Sequence, residues 1–199
     1  MSPRSKKQLE EIRGQSRQKI LSAALELFAG QGYHNTSIEQ IRIRAEVSKG
    51  LIYNYFDTKE QLLNDLVTES MAEGESILEE IMRLPTAYDK IRYIIEISFS
   101  FIVERAHYSR LLAALALQME HFPHLEEIVV GKYTGLMPLL ESLFQEVGIT
   151  NPKEEALLFA AIIDGVGIEY AVLKDALPVE TIKTYLIEKY THSSNSSSK

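Results

Sequence analysis

The 199-residue chain contains no cysteine. It therefore has no disulfide framework and no thiolate metal site, which fits a reducing cytoplasm. Its longest purely apolar runs, LLAALAL and LLFAAII, are far shorter than a membrane span of roughly 20 residues. The polar N-terminus lacks the apolar core of a signal peptide. These absences predict a soluble cytoplasmic protein with no membrane partner.

Catalytic motifs are missing as well. The sequence has no P-loop, no GxSxG and no HExxH. Its histidines are scattered, and the segment MEHFPHLEE places His121 and His124 near acidic residues. A solvated loop explains that segment better than a metal site does. We expect no catalytic residue, no metal and no cofactor. A small all-helical enzyme stays as a rival hypothesis, and it would need clustered titratable groups that the sequence does not display.

The net charge of -7 is distributed unevenly along the chain. Residues 1–60 contain ten lysines and arginines against seven acids, a net charge of +3, whereas the remainder has 11 against 21, or -10. The basic N-terminal part and the acidic remainder indicate that only residues 1–60 contact a polyanion.

Apolar residues recur at helical spacing throughout, with no sustained alternation, and this predicts an all-α fold. Three short or medium helices precede a long helix that runs from Thr58 to about Arg83. Further helices are predicted over residues 88–106, 108–119, 125–147, 152–173 and 178–190. The predicted DNA-binding domain, an N-terminal arm with a helix-turn-helix, covers residues 1–57. A helical effector-binding and dimerisation domain follows at residues 58–191, and a disordered tail at residues 192–199.

Capping signals mark the helix starts in the first 63 residues. Thr36 with Glu39 and Thr58 with Gln61 have the spacing of capping boxes, and Ser48 can cap the third helix. Two short helices joined by a tight turn and braced by a preceding helix are the layout of a helix-turn-helix.

The third helix separates its residues into two groups. Ile52 and Phe56 face the core, while polar and small residues lie at its N-terminal end or on its outer face. In a helix-turn-helix this end enters the DNA major groove, where lysine and asparagine read bases and tyrosine hydroxyls suit phosphates. A leucine suits a thymine methyl group, and a glycine allows close backbone approach. The predicted DNA contacts here are Lys49, Gly50, Leu51, Tyr53, Asn54 and Tyr55, with Lys59 on a phosphate.

The stretch ILSAALELFAGQGYHNTSIEQI…AEVSKGLIYNYFDTKEQLL resembles the DNA-binding region of the TetR family of bacterial transcriptional regulators. The resemblance covers about residues 17–63 and adds Arg17, Thr36, Ser37 and Ser48 to the predicted DNA-binding residues. It implies a homodimer that binds a two-fold, double-stranded DNA operator, most simply as a repressor, and that releases it when a small apolar or aromatic effector enters the C-terminal domain.

Two residues depart from the family pattern. Arg42 stands where the family commonly has alanine, and Glu46 where it commonly has glycine. Four residues apart on a helix, the two side chains could form a pair. The departures leave open an alternative function: a helical ligand-binding bundle without sequence-specific DNA binding.

The helix predicted over residues 88–106 is apolar on nearly all sides, so we expect it to be buried among other helices, where bundles form ligand cavities. Plain core packing is the alternative for each candidate. The predicted effector-binding residues are Phe99, Val103, Arg105, Tyr108, Leu112, Met119 and Phe122.

The segment AAIIDGVGIEYAVL is rich in small residues. Each glycine costs a helix about 1 kcal/mol relative to alanine, so two in one helix indicate close approach by another helix. The resemblance implies that the last two helices form the dimer interface; close packing within one chain is the alternative. The predicted interface residues are Ala161, Gly165, Ile168, Ile182 and Tyr185.

Overall fold

The computed structural model describes residues 6–116 and 121–191. These residues form nine α-helices and, within those ranges, no β-strand, which confirms the predicted all-α fold. The predicted tail, residues 192–199, lies outside them, as does Met119. The helices are α1 Lys6–Gln31, α2 Ile38–Ala45, α3 Lys49–Tyr53, α4 Lys59–Arg83, α5 Ala87–Glu104, α6 Ala106–Ala116, α7 Pro123–Glu146, α8 Pro152–Leu173 and α9 Val179–Thr191.

The helices divide into two compact units, Met1–Met71 and Ala72–Lys199. We call the first the head and the second the body. The head contains α1, α2, α3 and the first half of α4, and the body contains the second half of α4 with α5 to α9.

The head is built around an apolar core to which all four of its helices contribute. On α1 the apolar residues Ile20, Ala24 and Phe28 are fully buried, and Ile52 and Phe56 are no more than 1% exposed. Burying one such side chain contributes about 1.5–3 kcal/mol, so these contacts hold the short α3 in place. The fully or almost fully buried members are Ile20, Ala24, Phe28, Ile41, Ile52, Phe56, Leu62, Leu63 and Val67.

The capping residues differ in part from those predicted. Ser37, not Thr36, caps α2: its hydroxyl accepts from the Gln40 amide at 3.2 Å, and the Gln40 side chain accepts from the Ser37 amide at 2.8 Å. The predicted box of Thr36 and Glu39 is therefore wrong by one residue. Since Thr36 is only 2% exposed and donates to the Gly32 carbonyl at 2.8 Å, its hydroxyl is engaged in the preceding turn.

The other two caps follow the sequence more closely. The Ser48 hydroxyl accepts from the Leu51 amide at 3.2 Å, as predicted. The Thr58 hydroxyl accepts from the Gln61 amide at 3.0 Å, but the Gln61 side chain accepts from Asp57 rather than from Thr58.

The body packs α5 against α7, α8 and α9 around a second core. Phe144 stacks on Tyr190 with the ring centres 4.9 Å apart, and Phe159 meets both rings edge-on. The Tyr190 hydroxyl, buried with its ring, donates to Glu155 at 2.6 Å. This cluster fixes the end of α9 to the start of α8.

Helix limits in the body agree well with the periodicity. α8 occupies the predicted residues 152–173. α5 ends two residues early because Arg105 leaves the helical conformation, at φ -118° and ψ 37°, before α6 starts at Ala106.

Candidate DNA-binding site and dimer face

The exposed side of α3 carries the residues predicted to reach DNA. Ile52 is fully buried and anchors α3 to the core of the head, whereas Lys49, Gly50, Tyr53 and Asn54 are exposed. Leu51 is half-buried, and Asn54 is the C-cap residue that follows the helix. A Cβ atom added at Gly50 would meet nothing within 4 Å, so packing within the chain does not require glycine there.

The two tyrosines flanking Asn54 have different surroundings. Tyr53 is 46% exposed. Tyr55 is half-buried, and its hydroxyl donates to the carbonyl of Arg13 in α1 at 3.1 Å. The structure therefore presents Tyr53 to solvent and ties Tyr55 to α1.

Lys59 is held inside the head rather than extended into solvent. Its ammonium group donates to the carbonyls of Tyr33 and Thr36, both at 2.8 Å, and lies 4.2 Å from the centre of the Tyr33 ring. Burial lowers the pKa of Lys59. These contacts differ from the phosphate contact that the sequence predicts.

Arg17 also has partners within the head. Its guanidinium group donates to Asp65 at 2.7 Å, forms an ion pair with Glu69, and lies 5.3 Å from the centre of the Phe56 ring. Two carboxylates of α4 thus neutralise an arginine that the sequence predicts on DNA. Of the remaining predicted residues, Ser37 and Ser48 are exposed but serve as caps, and Thr36 is buried.

The turn between α2 and α3 explains the two departures from the family pattern. Arg42 does not pair with Glu46; it donates to Glu39 at 2.9 and 2.6 Å and to the Val47 carbonyl at 3.4 Å. The hydrogen bond from Arg42 lowers the pKa of Glu39. Glu46 caps α2 in the left-handed conformation, at φ 56° and ψ 43°, which favours glycine.

The predicted effector residues that the structure describes differ in their exposure. Phe99, Tyr108 and Phe122 are buried and Leu112 is half-buried, whereas Val103 is 42% exposed. Arg105 is exposed at the end of α5, 5.3 Å from the centre of the Phe101 ring. The positions of Val103 and Arg105 thus differ from those of residues that line an interior cavity.

One side of α8 exposes an apolar stripe. Ile168 is 53% exposed and Val172 is 76% exposed, and the predicted Ala161 lies on the same side. Tyr185 of α9 is 64% exposed, and Ile182 is half-buried. A spacing of four residues from Ala161 leads to the exposed Leu157, and the same spacing from Ile168 leads to the exposed Val172, so both belong with the predicted residues.

The two glycines of α8 have different neighbours. A Cβ atom at Gly167 would contact Ile102 of α5 at 3.7 Å, so this glycine lies at a helix contact within the chain. A Cβ atom at Gly165 would meet nothing within 4 Å, leaving that position open to another molecule. Residues 152–176 are also long and apolar enough to cross a membrane by length and composition alone, and only 28% of the most apolar window is buried.

Comparison with known proteins agrees with this arrangement of the head. Residues 20–66 match the bacterial regulatory proteins of the tetR family, which confirms the resemblance stated from the residues. The fatty acid metabolism regulator protein of Bacillus subtilis is 37% identical over 84 residues, which cover 42% of this chain and 43% of that protein. The chain spans less than half the length of the first curated relatives that it matches.

Solved structures extend the similarity to the whole fold. The regulator FadR from Bacillus subtilis in complex with stearoyl-CoA aligns with a TM-score of 0.70 at 22% identity, covering 88% of this chain and 98% of that one. A putative transcriptional regulator from Saccharomonospora viridis in complex with choline aligns with a TM-score of 0.75 at 19% identity, covering 90% and 97%. At these identities the alignments show a shared fold.

Proposed function

We propose that this chain, whose head belongs to the TetR family, is a ligand-responsive DNA-binding transcriptional regulator that acts as a homodimeric repressor. One observation carries the proposal: α3 buries Ile52 and presents Lys49 at its start, and then Gly50, Tyr53 and Asn54, to solvent. A recognition helix reads the major groove through side chains such as lysine and asparagine, which form hydrogen bonds to base edges, and a glycine lets its backbone approach the DNA closely. A bacterial cytoplasmic location follows from this role.

The apolar stripe of α8 supports the homodimer. Ala161, Gly165, Ile168 and Val172 follow one another at helical spacing on a side that the body does not cover. Dimer burial would account for the apolar character of α8 without a membrane. Two heads about 34 Å apart would read successive major grooves on one side of a duplex, whereas a single α3 of five residues reads too few base pairs.

The proposed release mechanism is a two-state equilibrium. In one state the two α3 helices match the groove spacing; in the other, an effector in the body shifts α4, which is continuous from Lys59 to Arg83. The effector shifts this balance only by its difference in affinity for the two states. We propose an apolar or aromatic effector, with Phe99, Tyr108 and Phe122 as the candidate residues that are buried.

Selection of bound duplexes from a random pool tests the DNA-binding function. We expect a two-fold sequence whose half-sites lie about one helical turn apart. The alternative is a ligand-binding bundle without sequence-specific DNA binding. It would be favoured if the selection recovers unrelated sequences and if Asn54→Ala enriches the same sequences as wild type. The matched relatives named above are regulators, which favours this proposal over an enzyme.

A second experiment tests the effector model. The selected duplex is titrated with protein in the presence of free fatty acids, acyl-CoA esters, choline and aromatic metabolites, because the similar structures hold chemically different ligands. We expect one class to weaken DNA binding. A disulfide engineered between the two heads at the DNA-competent spacing should abolish that release, and persistent release would contradict the two-state model.

A further inference from the structure

The cations of the head fall into two groups by their partners. Three arginines are paired with carboxylates, Arg17 with Asp65 and Glu69, Arg42 with Glu39, and Arg44 with Glu26. Lys59 is engaged with two backbone carbonyls. The other cations whose side chains the structure describes in the head, Arg13, Lys19 and Lys49, make no ion pair with any described side chain.

Arg13 is the member of the unpaired group that lies beside the end of the recognition helix. Its carbonyl accepts the Tyr55 hydroxyl at 3.1 Å. One turn further along α1, Arg17 lies 5.3 Å from the centre of the Phe56 ring. Two successive turns of α1 therefore pack against residues 55 and 56. Arg17 is half-buried and neutralised in this contact, while Arg13 stays exposed.

The hydroxyl of Tyr55 has a single proton to donate. Because that proton is directed to the Arg13 carbonyl, Tyr55 has none left for a phosphate oxygen while the bond persists. Tyr53 differs in this respect, since it is exposed on the other side of Asn54. The tyrosine pair thus divides into one residue that can donate to DNA and one that fixes α1.

We propose that Arg13 contacts the DNA phosphate backbone beside the recognition helix, and that Tyr55 is a positioning residue that holds Arg13 there. The inference rests on the proposed DNA-binding function. Because Arg13 lies on α1 rather than on α3, its contact is with phosphate and adds affinity without sequence preference. Lys49 at the start of α3 and Arg13 near its end then place positive charge at both ends of the five-residue helix.

Salt-dependent binding of a fluorescent duplex of mixed sequence tests the contact. Binding weakens with salt, and each lost phosphate contact reduces the magnitude of the negative slope of log K against log salt by about 0.9. An assembly with two heads loses two contacts, so the magnitude of its slope falls by about two. We expect this decrease for Arg13→Gln, with unchanged thermal unfolding because the side chain is exposed. Lys19→Gln is the matched control: Lys19 is also an unpaired α1 cation, but it lines a groove of about 590 Å³ with Glu26 and Arg44.

The outcomes separate this inference from the proposed function. If wild type binds no duplex, the DNA-binding function itself fails. If wild type binds and Arg13→Gln retains the full slope, the proposed contact is wrong. An equal decrease for Lys19→Gln would also overturn it, because the effect would then come from net charge and not from placement.

A double-mutant cycle tests the role of Tyr55. Tyr55→Phe should weaken duplex binding and lower the slope, yet add nothing in the Arg13→Gln background, because it acts through Arg13. Tyr53→Phe should weaken duplex binding by the same factor in the Arg13→Gln background as in wild type. If the loss from Tyr55→Phe also adds in full, Tyr55 contacts DNA itself and its positioning role is wrong.

Discussion

The ammonium group of Lys59 lies 4.2 Å from the centre of the Tyr33 ring and donates a 2.8 Å hydrogen bond to the carbonyl of the same residue. A second hydrogen bond, to the Thr36 carbonyl, has the same length. Both carbonyls belong to the connection between α1 and α2, so the lysine holds this connection against the first turn of α4. A cation at the N-terminal end of a helix is unfavourable for the helix dipole, and the two carbonyls offset that cost.

Lys59→Met keeps the aliphatic stem and removes the donors. We expect the free energy of unfolding to fall by about 1–3 kcal/mol, because two carbonyls lose a charged donor, as measured by urea denaturation. The salt slope of duplex binding should stay at the wild-type value, whereas Lys49→Gln should lower it. Unchanged stability together with a lower slope for Lys59→Met would show instead that this lysine contacts phosphate.

Glu46→Gly should stabilise the head by about 0.5–1 kcal/mol. A side chain at φ 56° costs roughly 1–2 kcal/mol, and glycine removes this cost while adding some entropy to the unfolded chain. Thermal unfolding measures the difference. Glu46→Ala is the control because it removes the carboxylate but keeps the Cβ atom. If alanine stabilises as much as glycine, charge and not backbone conformation is the cause.

Ile168→Lys combined with Val172→Lys should convert the proposed homodimer to monomers. The two lysines would place like charges opposite one another across the proposed symmetric interface, where the wild type would bury apolar side chains. Sedimentation velocity measures the assembly state. Val130→Lys on α7 is the control, since Val130 is 52% exposed but lies outside α8. A dimer that survives the double change would exclude this side of α8 as the interface.

Stability at high pH should depend on Tyr190. Burial first, and then the hydrogen bond to Glu155, raises the pKa of Tyr190 from 10.0 to about 12. The folded state therefore holds this proton more tightly, so the stability it contributes is complete below pH 10 and is lost as the pH rises toward 12.

The measurement is the free energy of unfolding of wild type and Tyr190→Phe across that pH window. The wild-type value should fall more steeply, by as much as about 1.4 kcal/mol per pH unit. Parallel curves would mean that the hydroxyl titrates alike in the folded and unfolded states.

Local pattern was sufficient for the helices and for the placement of α3, the predicted recognition helix. Apolar residues at helical spacing predicted α8 over its observed range, and Ser48 with the buried Ile52 and Phe56 predicted where α3 begins and which side it buries. These features depend on residues within one or two turns, so the sequence alone contains the information. The same holds for the likeness of residues 20–66 to the tetR family.

Which charged side chains remain free was decided only by the tertiary structure. Arg13 and Arg17 are arginines one turn apart on α1. Asp65, which lies 48 residues further along the chain, neutralises Arg17, whereas Arg13 stays exposed. The tight turn after α2 was predicted, but a glutamate does not indicate that residue 46 is the one that adopts the left-handed conformation. Helices form through neighbours in the chain, whereas ion pairing and exposure depend on which helices meet.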